Sequence, residues 1–196
     1  MLFRSYLFES EFPEVDLDKY TKKEALQLVV PRFAYLCVFF HEAMLKSYYK
    51  LPLKLIKEVL SDLLTNNILQ TVTIEGVNGY MLTQDYDSCQ DKTIDYTMDN
   101  PLPSILLLQR NDFFVRAYAD ELKVRFTSQW DTLYYLLIDG VFHGAVMGRF
   151  KFGPHVIEDI VLDLSDEEKE CSKGEIINAI YEVFDPQSSP IIRYNS

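Results

Sequence analysis

Three adjacent residues, Gln129, Trp130 and Asp131, form the first group whose side chains could support catalysis. An amide beside a carboxylate can position a water molecule and accept its proton, as a general base does. The three residues directly precede a predicted strand, however, and so short a pattern arises easily by chance. We therefore favour a packing role for Trp130 and expect no catalytic residues in this chain.

A second group, close together in sequence, consists of His155, Glu158 and Asp159. These residues could act as an acid and a base. Neighbouring residues of a strand face opposite sides, so His155 and Asp159 should align while Glu158 points away. We expect these side chains to lie on the surface at the edge of a sheet.

Metal and nucleotide sites have little support in the sequence. No two histidines or cysteines have the spacing of zinc ligands on one helix or knuckle. The glycines of the second half lack the GxGxxG pattern and the lysine of a phosphate-binding loop, and glycines in strands more often mark bends. These glycines are Gly140, Gly144 and Gly148. We expect no metal and no cofactor.

Four lysines could bind phosphate groups: Lys46, Lys50, Lys54 and Lys57. They belong to the segment 19–82, which has eight basic and five acidic residues, although the whole chain has 19 Lys and Arg against 30 Asp and Glu. An acidic protein repels DNA unless a local basic surface outweighs the overall field. We predict that these lysines contact DNA phosphates without reading the bases, because the third predicted helix offers no Arg, Asn or Gln to a base edge.

The composition is typical of an ordered globular protein, with 48% hydrophobic and 25% charged residues among 196. The isolated cysteines Cys37, Cys89 and Cys171 are typical of reduced thiols. The longest apolar run, 25–40, is interrupted by Pro31 and Arg32 and is shorter than the roughly 20 residues of a membrane span. With no sign of a secretory signal, we expect a cytoplasmic protein that does not contact membranes.

The first half of the chain follows the order of a winged helix-turn-helix. Thr21 and Glu24 form a capping box before a first helix, which Pro31 should kink or restart. A second helix is predicted over 41–49, and a third begins at Leu51-Pro52. A hairpin of strands 70–74 and 80–83 follows. The third helix has a predicted buried stripe of Ile56, Val59, Leu60, Leu63 and Leu64.

The second half is predicted to be mainly strands. Alternating residues predict strands over 113–118, 132–138, 141–150 and 155–164, with Asp139-Gly140 as a hairpin turn. Ser165 and Glu168 cap a final helix. Five aromatic residues should pack in the core, although they could also line a pocket or stack on bases. They are Phe113, Phe114, Tyr118, Tyr134 and Tyr135.

The predicted fold class is therefore α+β: a winged helix-turn-helix followed by a small antiparallel β-sheet or barrel with a C-terminal helix. The predicted domains are a lead-in segment 1–18, the winged helix 19–83, an acidic linker 84–103, and a small β-barrel-like domain 104–196 with the C-terminal helix.

Two stretches carry a resemblance to a known family. Asp16-Leu17-Asp18 leads to Glu24-Ala25-Leu26 before the helix-turn-helix and wing, and the predicted sheet contains Asp139-Gly140 and Gly148-Arg149-Phe150. Over about 13–164 this arrangement resembles the winged-helix family that includes bacterial DNA glycosylases acting on alkylated or crosslinked bases. That resemblance implies tandem winged helices and a C-terminal β-barrel.

The resemblance also implies where catalysis would occur. In that family the catalytic motif, Gln, an apolar residue, then Gln or Asp, belongs to a more N-terminal winged helix, which we expect this chain to lack. Gln129-Trp130-Asp131 matches it locally, and there the carboxylate could direct water to a sugar carbon while tryptophan stacks on a displaced base. It lies outside the part of the family that carries the motif.

Three functions follow as hypotheses. We favour a non-catalytic winged-helix protein in DNA binding or regulation, with weak, sequence-independent contact to double-stranded DNA. The first alternative is a DNA glycosylase-like enzyme of base-excision repair. The second is an adaptor whose winged helix binds another protein, which the formal charge of −11 favours.

Overall fold

The computed structural model describes residues 12, 14, 16, 18–74, 76–90, 104–149 and 156–194. These residues form an α+β fold of seven helices and two antiparallel sheets. The helices are α1 (Lys22–Cys37), α2 (Glu42–Tyr49), α3 (Leu53–Thr65), α4 (Thr83–Gln90), α5 (Phe113–Ala117), α6 (Ala119–Arg125) and α7 (Asp166–Val183). The strands are β1 (Phe39–Phe40), β2 (Leu69–Ile74), β3 (Val77–Leu82), β4 (Ile105–Gln109), β5 (Asp131–Ile138), β6 (Val141–Gly148) and β7 (Ile157–Leu162).

The chain divides into two compact units. Unit 1 comprises Met1–Glu42 and Leu51–Lys92, and unit 2 comprises Ala43–Lys50 and Thr93–Ser196. Most of α2 thus belongs to unit 2, although it lies between two helices of unit 1 in the sequence. Of the predicted linker, residues 84–90 lie in α4 and 91–103 lie outside the described residues. The predicted domain boundaries stay a prediction.

Helix α1 begins at the predicted capping box. The Glu24 amide donates to Thr21 Oγ1 at 3.3 Å, and the Thr21 amide donates to Glu24 Oε2 at 2.8 Å. The predicted restart at Pro31 is wrong, because α1 continues through it. Val30, Phe33 and Ala34 are buried on both sides of the proline, and their packing holds the helix despite the hydrogen bond that proline removes.

The rest of unit 1 places a three-stranded sheet beside α1 and α3. The strand order is β1-β3-β2, and the β2–β3 hairpin pairs Leu69 with Leu82 and Ile74 with Val77. The turn is therefore shorter than the predicted turn 75–79. The predicted stripe of α3 is confirmed, except that Leu64 is only half-buried.

Unit 2 contains an open four-stranded antiparallel sheet of order β4-β5-β6-β7. Of the predicted sheet or barrel, the antiparallel sheet is confirmed and a closed barrel is not, since β4 and β7 are the edge strands of an open sheet. Helices cover this sheet, and Ile157 of β7 makes one isolated bridge to Ile191. The predicted turn is confirmed: Asp139 and Gly140 both have positive φ, 50° and 82°, as a tight β5–β6 hairpin requires.

Residues 113–118, predicted as a strand, form α5 and its C-cap. Asp112 caps this helix, because its Oδ1 accepts from the Phe114 amide at 2.9 Å. The three other predicted strands correspond to β5, β6 and β7. Phe150 and His155, at the ends of two of them, lie outside the described residues.

The two faces of this sheet carry separate cores. On one face, Ile176, Ile180 and Phe184 pack against a cluster that includes Leu136 and Ile160; the first two belong to α7, and Phe184 is its C-cap. On the other face, buried side chains of α5 and α6 pack against alternate residues of β5 and β6. The buried residues of this second core, from the helices and the strands together, are Val115, Leu122, Phe126, Tyr135, Phe142, Ala145 and Met147. This second core holds α5 and α6 in place. Among the described residues, no helix is both long and apolar enough to span a membrane.

Candidate nucleic-acid interface

One buried hydroxyl of unit 2 links three helices that carry a candidate interface. Ser47, on α2, donates from Oγ to the carbonyl of Arg116 at 3.0 Å and accepts from the Asp120 amide at 3.3 Å. Both partners lie at the junction of α5 and α6. Because Ser47 is almost fully buried, these bonds fix the three helices relative to one another.

One lysine pairs with a carboxylate at this junction, and the charges of two more act on the same carboxylate. Lys50 Nζ lies 2.7 Å from Asp120 Oδ1. This hydrogen bond is the main cause that lowers the pKa of Asp120, and the charges of Lys50, Lys123 and Lys46 lower it further. We call these four residues the basic cluster. Its three cations exceed its one anion, and all four side chains are exposed to solvent.

Aromatic rings lie next to the basic cluster in unit 2. The Arg116 guanidinium lies 4.5 Å from the centre of the Tyr48 ring. Tyr48 in turn contacts Phe113 at 5.1 Å between ring centres, and Phe113 contacts Phe114 at 5.5 Å. The contact with Tyr48 holds the guanidinium of Arg116, a fourth positive charge, in place beside the cluster. Phe113 and Phe114 thus lie on a partly exposed surface rather than in the predicted core, whereas Tyr135 is buried.

The four lysines identified in the sequence fall in different units. Lys46 and Lys50 belong to the basic cluster in unit 2, whereas Lys54 and Lys57 lie on α3 in unit 1. Lys57 Nζ lies 3.5 Å from Glu42 Oε2, so a carboxylate partly offsets its charge. All four lysines are exposed, as phosphate contact requires.

Arg116, Asp120 and Lys123 were not identified from the sequence, because the strand predicted over 113–118 includes Arg116 and ends just before the other two. Two local signals could have found the helices. For α5, Asp112 is a residue that commonly caps a helix N-terminus. For α6, the acidic Asp120 and Glu121 lie in the first turn and the basic Lys123 and Arg125 in the last, an order that interacts favourably with the helix dipole.

The trio Gln129, Trp130 and Asp131 lies just before and at the start of β5. Trp130 is half-buried against the core shared with α5 and α6, as predicted for a packing residue. The Arg149 guanidinium lies 4.6 Å from the centre of its ring and covers it. The Trp130 amide donates to Ser128 Oγ at 3.3 Å, which further fixes this corner.

The second sequence group is only partly described. His155 lies outside the described residues, and Glu158 is half-buried. The predicted surface position of Asp159 is wrong, because this residue is buried and its Oδ1 accepts from the Ile160 amide at 2.9 Å. In the part of the chain that the structure describes, no three His, Cys, Asp or Glu side chains are grouped so that they could hold a metal ion.

Comparisons with known proteins give a similarity of fold. No family model matches the sequence, and no curated protein matches it. Among solved structures, the chain is similar to the Streptomyces sahachiroi DNA glycosylase AlkZ, with a TM-score of 0.50 and 14% identity over 90% of this chain. The match covers 46% of that protein, so this chain spans less than half of its length. The family resemblance seen in the sequence is thus supported at the level of the fold.

Proposed function

We propose that this chain binds double-stranded DNA through the phosphate backbone, without reading base sequence and without catalysing a reaction. The observation that carries the proposal is the basic cluster, where Lys50 pairs with Asp120 and the charges of Lys46 and Lys123 also act on that carboxylate, in an otherwise acidic protein. Similarity to the fold of a DNA glycosylase makes DNA the anion that we favour.

The order of elements supports a winged helix in the first half of the chain, an observation separate from the basic cluster of unit 2. Along the chain, α1, β1, α2 and α3 precede the β2–β3 hairpin, and β1 pairs with β3. Helices followed by a hairpin wing are the arrangement that places a helix against DNA in winged helix-turn-helix proteins. We infer that this part of the chain is such a module.

The basic cluster suits phosphates better than bases. Lysine presents a compact charge on a flexible side chain, which attracts a phosphate without selecting a particular base edge. Asp120 offsets part of the positive charge, and the formal charge of −11 opposes the approach of DNA at long range. We therefore expect weak binding that salt readily disrupts.

The exposed side of α3 offers little for base recognition. Asp62, one of its two acidic residues, lies 2.6 Å from Lys23 Nζ and accepts from Gln27 Nε2 at 2.7 Å. Asp62 thus engages the ammonium group of Lys23 and the side-chain amide of Gln27, two groups of α1 that could otherwise contact DNA. Base readout in the major groove depends mainly on Arg, Asn and Gln, and α3 has none of them.

Fluorescence anisotropy with random-sequence duplexes across a salt series tests the proposal. If Lys46, Lys50 and Lys123 each neutralise one phosphate, log affinity should fall against log salt with a slope of about −2.7. Replacing each lysine by glutamine should make the slope shallower by about 0.9. Lys173→Gln, on α7, is the matched control and should leave the slope unchanged.

The same series tests Lys54 and Lys57, which stay predicted phosphate contacts. If their glutamine variants also reduce the slope, both units contact DNA. No binding at low salt would contradict the proposal and favour the protein adaptor. Tight binding to one sequence would contradict the absence of base readout.

A further inference from the structure

Helix α1 has two apolar faces, and only one of them is buried. Leu26, Val30, Phe33 and Ala34 form the buried face. Leu28, Tyr35 and Leu36 are 53%, 67% and 55% exposed. Their spacing of seven and eight residues places them on one side of the helix, with Arg32 between them. We call these four residues the α1 stripe.

The α1 stripe borders a groove within unit 1. The groove has a volume of about 670 Å³, and Pro31, Arg32, Tyr35 and Leu36 form one side of it. The opposite side is formed by Asn67, Ile68, Leu82, Thr83 and Gln84. An exposed apolar surface beside a groove is typical of a protein interaction site.

The groove has a basic side chain on its α1 side, and an acidic side chain lies one helical turn beyond the residue that ends its other side. Arg32 lies on the α1 side. On the other side, Gln84 lines the groove, and Asp87 lies one turn further along α4, on the same face. Both charged side chains are exposed. When two copies face each other about a two-fold axis that passes between these residues, Arg32 of each copy lies opposite Asp87 of the other. The charges of this surface are therefore complementary to those of a second copy.

We propose that the chain forms a two-fold symmetric homodimer through the α1 stripe and its groove. The apolar side chains of each stripe are buried against the other copy, and two Arg32–Asp87 pairs flank them. The proposal is independent of DNA binding, since the α1 stripe shares no residue with the basic cluster.

Sedimentation velocity of the full chain from about 1 to about 200 µM, with a reductant that prevents disulfides, tests the dimer. We expect concentration-dependent dimerisation in about 0.15 M salt, which screens the net charge. Leu36→Glu should weaken association by about 30-fold or more, as for a central interface residue. The matched control is Val124→Glu, which places the same charge at an apolar residue of unit 2 that is 80% exposed, and it should dimerise normally.

A charge exchange tests the pairing of the two copies. Arg32→Asp and Asp87→Arg should each weaken self-association, because like charges then meet twice across the two-fold axis. An equimolar mixture should associate more tightly than either variant alone, since both pairs become attractive again. A chain that stays monomeric at the highest concentration, a dimer that Leu36→Glu leaves intact, or a mixture without recovery would overturn the proposal. Circular dichroism of each variant distinguishes lost association from lost folding.

Discussion

At the scale of single residues, Asp120 controls how much positive charge the basic cluster presents. Its carboxylate lies 2.7 Å from Lys50 Nζ, and this hydrogen bond lowers its pKa further below the usual range of an aspartate, which is already ionised at neutral pH. In the DNA binding that we propose, this carboxylate competes with phosphate for the same lysines. An acidic residue within a DNA-binding surface weakens binding and leaves the fold largely unaffected, because an exposed ion pair contributes little to stability.

We predict that Asp120→Asn strengthens DNA binding by about threefold to tenfold at low salt, because it removes the competing charge and frees Lys50. Anisotropy titration of random duplexes measures the change. Asp166→Asn on α7 removes an equal charge elsewhere and should produce a much smaller gain. Equal gains from both variants would mean that only net charge matters, and a loss of affinity in Asp120→Asn would contradict the assigned role.

The three cysteines should differ in reactivity because they differ in burial. Burial raises the pKa of Cys37 to about 12, whereas Cys89 and Cys171 are exposed. Thiolate is the species that reacts with alkylating agents. With iodoacetamide at about pH 8, mass spectrometry should show rapid modification at Cys89 and Cys171 and slow modification at Cys37. In denaturant all three should react alike, and fast labelling of Cys37 in the folded protein would contradict its burial.

At the scale of elements, α3 links the core of unit 1 to the surface that was predicted to contact DNA. We predict that Leu60→Ala, at a position 2% exposed, lowers the free energy of unfolding by about 2–5 kcal/mol through the cavity it leaves. Leu53→Ala, at 38% exposure on the same helix, should cost less than about 1 kcal/mol. Urea unfolding followed by circular dichroism measures both. Equal losses would show that Leu60 is not a core residue.

Two glycines should respond in opposite ways to the same substitution. At Gly79 in β3, an added Cβ would lie 2.4 Å from a Phe39 ring carbon and 2.5 Å from the Phe40 carbonyl oxygen, so Gly79→Ala should destabilise the sheet. At Gly174 in α7, nothing lies within 4 Å of an added Cβ. Gly174→Ala should raise stability by about 1 kcal/mol, the difference in helix propensity. Thermal unfolding of both variants checks the two signs, and a stable Gly79→Ala would contradict the close approach of β1.

The elements that could be predicted from the sequence are those with local causes. The capping boxes at Thr21 and Ser165 and the turn at Asp139-Gly140 each depend on residues within one turn of chain. The error at 113–118 arose because Phe113-Phe114-Val115 has high strand propensity, which the Asp112 cap and packing against β5 override. An open sheet and a closed barrel produce the same alternation, so the sequence pattern could not distinguish them.

The candidate site was only partly predictable for the same reason. Lys46 and Lys50 could be identified from composition, but their neighbours Arg116 and Lys123 lie about 70 residues away in sequence. These groups are brought together by the two hydrogen bonds of Ser47, and no local pattern signals such a long-range contact. Lys57 was identified in the sequence for its charge, whereas its ion pair with Glu42 forms only in the folded chain.

At the scale of the whole molecule, the fold is similar to that of a DNA glycosylase, and a fold does not by itself determine what a protein binds or whether it carries out chemistry. The similarity covers 90% of this chain, yet at 14% identity it concerns the fold alone. The question is then whether the described residues provide a catalytic group with access to DNA. Gln129-Trp130-Asp131, the local match to a catalytic motif, is the group whose geometry can be compared with such a role.

The geometry of this trio favours packing over catalysis. Arg149 lies over the Trp130 ring, and the partly buried indole packs against the core, so these contacts occupy ring surface on which a displaced base would have to stack. We therefore predict that the purified protein releases no alkylated base from duplex DNA above a no-protein control. Chromatography of the free base after prolonged incubation measures release, with heat-depurinated DNA as the positive control. Release that Asp131→Asn abolishes would overturn the prediction and assign the carboxylate as the general base, whereas release that survives in this variant would place the catalytic group elsewhere in the chain.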